Sequence, residues 1–141
     1  MSDLEANKAT IRTLLSGWGD WTQGPTIELI ADEFRWEHRC NGETFPYLLA
    51  YEGKAEMIKH CTLMVEMFPD ISRTPTNLVA EGDTVIVENV CRAHGADGKD
   101  FEVFLIDVFQ LRDGRVVSQR EYADTAYFLS WREAGDIIRG H

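Results

Sequence analysis

Apolar positions along the chain follow two periods, and the helical one gives way to a strand-like one near Ile71. Leu4, Ala6, Ile11, Leu14 and Leu15 make a loose helical stripe over Leu4–Leu15, with Asp3 placed to cap it. Gly17, Gly19 and Gly24-Pro25 interrupt the chain, and a short helix is expected over roughly 26–32 with Ile27, Leu29 and Ile30 inward. Phe34, Trp36 and His38 then share one side of a short strand, with Arg35, Glu37 and Arg39 on the other. The segment Cys40–Tyr51 mixes Asn, Gly and Pro with Phe45, Tyr47, Leu48, Leu49 and Tyr51, and reads as a loop that packs over a cavity mouth. Gly53 opens a helix that ends near Phe68, with Pro69 as its stop. Met57, Ile58, Cys61, Met64, Val65 and Phe68 recur along it at three- and four-residue steps.

From Ile71 the spacing predicts four strands, roughly 72–81, 84–94, 100–111 and 115–126. Gly82-Asp83, Ala96-Asp97-Gly98 and Asp113-Gly114 supply the turns. A last helical piece is expected over Leu129–Ile138. Helices first and a meander of long antiparallel strands afterwards indicate an α+β fold, with helices covering one face of a curved sheet. No linker, repeat or low-complexity tract divides the chain, so residues 1–141 read as one domain.

Charge and composition narrow the function classes. With 141 residues, 44% hydrophobic and 27% charged, the chain has the makeup of a globular domain with a single core. A formal net charge of −10 repels phosphate backbones and anionic lipid, which argues against nucleic-acid and membrane-surface partners. No window approaches the roughly 20 apolar residues of a membrane span, and the polar, acidic start does not read as a signal peptide. Cys40, Cys61 and Cys91 are odd in number and unpatterned, so reduced thiols and a cytoplasmic location are expected.

Two acids sit badly with their surroundings. Asp107 interrupts the apolar run Phe104–Phe109, and Asp124 closes the next strand behind Tyr122. Val103, Leu105, Asp107 and Phe109 share one face, and the opposite face (Glu102, Phe104, Ile106, Val108, Gln110) is apolar in its middle too. Both faces are therefore expected to be covered and Asp107 to be buried, which costs several kcal/mol unless the carboxyl is paired or neutral. Asp124 shares its parity with Ser118, Arg120 and Tyr122, a polar stripe that suits either a wet cavity or an outer surface; it could equally cap the final helix. His38 beside Trp36 is either a satisfied core residue or a base. Trp18, Trp36, Tyr51, Phe104 and Tyr127 would serve core packing and an aromatic-walled pocket at once. His38 with Cys40, and His60 with Cys61, lack the usual metal-ligand spacing, and no phosphate-cradling or dinucleotide glycine pattern occurs. No metal and no cofactor are expected.

The order of elements, together with Gly19-Asp20, Ala31-Asp32-Glu33, Gly53-Lys54-Ala55-Glu56 and Asp113-Gly114-Arg115-Val116-Val117, resembles the nuclear-transport-factor-2-like superfamily over nearly the whole chain. The similarity is to its SnoaL-like polyketide-cyclase and ketosteroid-isomerase-like branches. It implies a cone-shaped curved antiparallel sheet with three N-terminal helices packed in its concave face (a cystatin-like α+β barrel) and a short C-terminal helix. In the isomerase branch Asp107, within Ile106-Asp107-Val108-Phe109, falls where an Asp kept neutral donates to an oxyanion. Ala31-Asp32-Glu33 followed by Glu37-His38 sets His38 at the general-base position, while no Tyr occurs on the first helix. In the cyclase branch Tyr122-Ala123-Asp124 matches the Tyr-x-Asp that ends the last long strand. Asn89 and Cys91 stand where epoxide hydrolases carry Arg-x-Asp, which disfavours epoxide hydrolysis. His94 is a loose match to a His near the turn of the strand pair.

These residues lead to one expectation with an alternative. The first is a cofactor-independent acid/base enzyme acting on a small hydrophobic carbonyl or cyclic compound, by isomerisation, aldol-type ring closure or dehydration. Asp107, Asp124 and His38 would carry the chemistry, with the two aspartates converging in a hollow interior, and Trp18, Trp36, Tyr51, Asn89 and Tyr122 would contact the substrate. The alternative is a non-catalytic domain that binds a small molecule or supports a partner. The resemblance also implies a homodimer through the sheet face.

Overall fold

The computed structural model describes residues 3–17, 25–42, 49–94, 98 and 100–130. It opens with helix α1 (Leu4–Ser16), where Asp3 accepts a hydrogen bond from the Ala6 amide as cap. A 3-10 turn (Pro25–Leu29) leads into strand β1 (Ile30–His38). Strand β2 (Ala50–Glu52) and helix α2 (Lys54–Met67) follow. The meander is β3 (Ser72–Glu81), β4 (Thr84–His94), β5 (Asp100–Arg112) and β6 (Arg115–Ala123), and α3 (Thr125–Ser130) comes last.

The six strands form one sheet in the order β2-β1-β6-β5-β4-β3. All neighbours are antiparallel except β1 and β6, which run parallel and bring His38 opposite Glu121. The register shifts between Arg35 and Ile30 in β1, between Pro75 and Asn77 in β3, and between Gln110 and Leu111 against β6. An extra residue at such a point bends the strand and reverses which side chains face inward beyond it. Asp113 (φ 52°) and Gly114 (φ 78°) both lie in the left-handed region, as the two-residue turn between β5 and β6 requires.

One face of the sheet carries the core. Ile11, Leu14 and Leu15 of α1 and Met57 and Cys61 of α2 pack against Phe34, Val85, Val87 and Phe109. A second group gathers Phe68, Ile71, Cys91, Phe101, Val103 and Leu105 around the α2–β3 connection. No helix among the described residues is long and apolar enough to cross a membrane.

Several boundaries differ from the sequence expectation. Residues expected in a helix over 26–32 split between the 3-10 turn and β1, because Ile30 already bridges to Val116. Part of the expected loop pairs as β2, with Tyr51 opposite Trp36. The last strand stops at Ala123, and the final helix begins at Thr125 rather than Leu129; the rest of that expected helix lies outside the described residues. The expectation of three N-terminal helices in the concave face gives way to two helices and a 3-10 turn, and the sheet remains open rather than closing into a barrel. Among the described residues nothing covers the outer face of β4–β6: Phe104 is 68% exposed, and Ile86, Ile106 and Tyr122 lie open beside it.

Candidate active site

The inward side chains of β5 are Val103, Leu105, Asp107 and Phe109, so the apolar alternation carries Asp107 to the middle of the core face. Its carboxylate is fully buried and accepts three hydrogen bonds. Asn89 Nδ2 (2.8 Å) and Arg73 Nη1 (2.9 Å) donate to Oδ2, and Gln119 Nε2 (2.9 Å) donates to Oδ1. The other arm of the guanidinium reaches the second acid of the cluster: Arg73 Nη2 lies 2.7 Å from Glu121 Oε2. Asp107 and Glu121 are cross-strand neighbours in the register of β5 and β6, and one cation bridges the two acids. Such a pair would repel without it.

Burial and charge set the protonation states. Loss of water pushes the Asp107 carboxyl up to about 6; the Arg73 guanidinium opposes this and the Glu121 charge adds to it. Asp107 is therefore an ionised acceptor at neutral pH, matching three donors aimed at it. The upward shift has the direction expected for an acid held among apolar walls at that position. His38 is buried against the same cluster; burial lowers its pKa from 6.5 and the Asp107 charge only partly offsets this, which leaves a neutral imidazole at pH 7. Burial pushes the Cys61 thiol up to about 12 and the Cys91 thiol up to about 11, both against the pull of Arg73, so neither is a thiolate nucleophile. Tyr51 is held as a protonated phenol chiefly by burial. Its ring meets Trp36 edge-on at 5.2 Å, Phe34 at 6.2 Å and His60 at 4.7 Å, and Trp36 in turn lies 6.1 Å from His38. These rings form an aromatic wall beside the polar cluster.

The structure brings together Asp107, His38 and Asn89, with Trp36 and Tyr51 adjacent, and leaves out two other expected members. Asp124 is exposed, and its Oδ1 accepts a hydrogen bond from the Tyr127 amide at 3.2 Å, capping α3. Convergence of Asp107 and Asp124 is thus overturned: β6 has ended before Asp124, and its carboxyl serves the helix start. Tyr122 points to the outer face, 42% exposed, in a shallow groove of about 410 Å³ with Thr76, Glu88, Phe104 and Ile106. His94 is exposed at the end of β4, bonded to Asp70 and 3.4 Å from Asp100, away from the cluster. Trp18 lies outside the described residues. Among the described residues no group of three or more His, Cys, Asp or Glu is arranged to hold a metal.

Arg73, Gln119 and Glu121 escaped the sequence reading, and the register shifts explain why. In β6, Val116 faces inward, and strict alternation would turn Ser118, Arg120 and Tyr122 inward after it. The shift beside Gln110 and Leu111 leaves Val117 without a partner and reverses the parity, so Gln119 and Glu121 enter the core. In β3 the shift between Pro75 and Asn77 likewise sets Arg73 on the inner face, although Leu78 and Ala80 further along have the opposite parity.

With this geometry in view, the fold is that of the nuclear-transport-factor-2-like class. The sequence profile of the SnoaL-like domain matches residues 11–119, and the chain belongs to that family. No curated protein matches the sequence. Among solved structures, Bal32a from a soil-derived mobile gene cassette superposes with a TM-score of 0.79 at 17% identity, over 98% of this chain and 100% of that one. A protein called an isomerase from Bacillus subtilis gives a TM-score of 0.76 at 24% identity, covering 95% of this chain and 97% of its own. A protein called a SnoaL-like polyketide cyclase from Jannaschia sp. CCS1 gives 0.72 at 22% identity, with 99% and 98% coverage. At these identities the likeness concerns the fold, which hosts many chemistries.

Proposed function

We propose that the chain is a cofactor-independent acid/base enzyme acting on a small hydrophobic carbonyl or cyclic compound. The observation that carries this reading is the placement of His38 and Asp107, both buried and each a cross-strand neighbour of Glu121, beside the rings of Trp36 and Tyr51. His38 takes a proton from carbon next to the carbonyl, and the Asp107 charge stabilises the imidazolium that forms. Tyr51, protonated throughout the working range, offers its O–H to the developing oxyanion. Arg73, Asn89 and Gln119 keep the Asp107 carboxylate fixed. The relatives called cyclase and isomerase support this class of chemistry. The test is deuterium exchange at the α-carbons of a panel of cyclic ketones, followed by NMR in heavy water. Exchange above the buffer rate that disappears in His38→Gln is expected; a buffer-level rate for every ketone would remove the enzyme reading.

One observation favours a second reading, a non-catalytic binding domain. Both Asp107 oxygens are already bonded within the chain, as in a cluster that holds the fold together. Ligand-induced rises in Tm without α-exchange for any compound would support this alternative.

The outer face of the sheet belongs to the proposal as well. Ile86, Phe104, Ile106 and Tyr122 make an open apolar patch flanked by Glu88 and Arg120, neither of which forms an ion pair among the described residues. A second copy of this chain, related by a two-fold axis, would bury the patch and set each Glu88 toward the other copy's Arg120.

A further inference from the structure

The far end of the β4–β5 hairpin carries charged groups that the candidate site does not use. His94 and Asp100 are the last pair in the register of the two strands. Asp70, in the connection between α2 and β3, meets them there. Its Oδ1 accepts a hydrogen bond from the His94 amide at 3.1 Å, and its Oδ2 contacts His94 Nδ1. On the other side of the ring, His94 Nε2 lies 3.4 Å from Asp100 Oδ1.

Both ring nitrogens thus face carboxylate oxygens, which can only accept when ionised. A neutral imidazole has one N–H and would set its lone pair against the other carboxylate. The imidazolium donates to both sides, so the contacts themselves call for a protonated His94. The amide bond does not titrate, and it holds Asp70 in place for the ring. The protonation equilibria run the same way. The side-chain bond to Asp70, then the charges of Asp70 and Asp100, raise the His94 pKa above 6.5, and the bonds from His94 lower that of Asp70 below 3.8. Among the described residues, β4 and β5 also set Arg92 and Glu102 on this face, paired with each other at 2.8 Å.

Each of the three residues adjoins a buried apolar one. Asp70 precedes Ile71, His94 follows Ala93, and Asp100 precedes Phe101; Ile71, Ala93 and Phe101 pack with Phe68 in the second core group. Phe68 and Phe101 stack at 5.8 Å. The exposed charges therefore lie on the same segments whose apolar side chains close this end of the core. Asp70 also stands three residues before Arg73, the cation of the buried cluster.

We propose that Asp70, His94 and Asp100 form a pH-operated latch: protonated His94 clamps the α2–β3 connection to the β4–β5 hairpin, and loss of its proton as pH rises past neutrality releases that corner. His94, with its pKa raised, contributes fully below 6.5, and the contribution fades as pH rises through the raised value. Asp70, with its pKa lowered, contributes above 3.8 and loses its contribution only as pH falls through the lowered value. The latch is closed between those two values and opens on the alkaline side. It stands apart from the proposed chemistry and needs no ligand.

Proton NMR of the full chain should show His94 titrating above 6.5, with Asp70→Asn and Asp100→Asn each bringing it down. Hydrogen exchange over segments 68–73 and 100–104 reads the corner itself. The ratio of wild-type to His94→Gln protection there should fall by roughly two- to fivefold between about pH 5.5 and about pH 8. Taking that ratio removes the intrinsic effect of pH on exchange and the titration of His38 and Asp107, which the variant shares. A His94 pKa at or below 6.5, a ratio that stays flat, or one that rises with pH would overturn the latch.

Discussion

Arg73 on β3 and Asp107 on β5 form a buried ion pair at 2.9 Å across the intervening strand β4. Only a side chain as long as arginine, with two forked amino groups, spans that width and still reaches Glu121 on β6 at 2.7 Å. Three strands are therefore tied by polar contacts at the level where the candidate base lies. Removing the cation leaves two neighbouring buried carboxylates. Arg73→Met should cost about 3–5 kcal/mol in urea unfolding, and Arg73→Met combined with Asp107→Asn should recover part of that loss. A single-variant loss below about 1 kcal/mol would show that the pair is not holding the sheet.

The pH dependence of stability follows from the two titrating groups, with opposite signs. Asp107 keeps its proton up to about 6 in the folded chain, against 3.8 ordinarily. Between those values the folded state binds more protons than the unfolded one, so this contribution favours folding on the acid side and is lost as pH rises through about 6. His38, with its pKa lowered below 6.5, works the other way and disfavours folding as pH falls. Tm of wild type minus Tm of Asp107→Asn should therefore grow as pH falls from about 7.5 to about 5. A difference that shrinks over this range would mean that Asp107 is not a desolvated carboxylate.

His38→Gln keeps a hydrogen-bonding side chain but no base. Its α-exchange rate should fall by roughly a hundredfold or more, while near-ultraviolet circular dichroism shows the fold unchanged. In wild type the rate should drop on the acid side as the imidazole takes up a proton. A flat pH profile with full activity in the variant would place the base elsewhere.

Asp124 gives a contrasting case. Asp124→Ala removes the cap of α3 and should lower stability by about 1 kcal/mol, with α-exchange unaltered. A large loss of exchange at full stability would restore this residue to the chemistry, against its exposed position.

The outer face makes the fifth test. Phe104→Glu places a charge in the middle of the open patch, away from the interior. Light scattering should report a dimer for wild type and a monomer for the variant, with Tm little changed at low protein concentration. A wild-type monomer at high micromolar concentration would leave that patch without its proposed occupant.

Much of the architecture was legible in the chain itself. Alternation and turn chemistry put the four meander strands within a few residues of their observed bounds, because each local signal agrees with the pairing it feeds. The burial of Asp107 followed from the same alternation, its neighbours on both sides being apolar. The pattern was least informative where pairing partners decide the outcome. Ile30 joins β1 through Val116, and Tyr51 joins β2 through Trp36, contacts that no local period announces.

The sequence by itself determined the strands, the turns and the one acid that an apolar strand must carry inward. Tertiary structure alone decided which other side chains meet that acid. A register shift is a relation between two strands, and each one reverses the facing of every residue beyond it. That reversal brought Gln119 and Glu121 into the core, turned Tyr122 out of it, and set Arg73 where its guanidinium could reach both carboxylates.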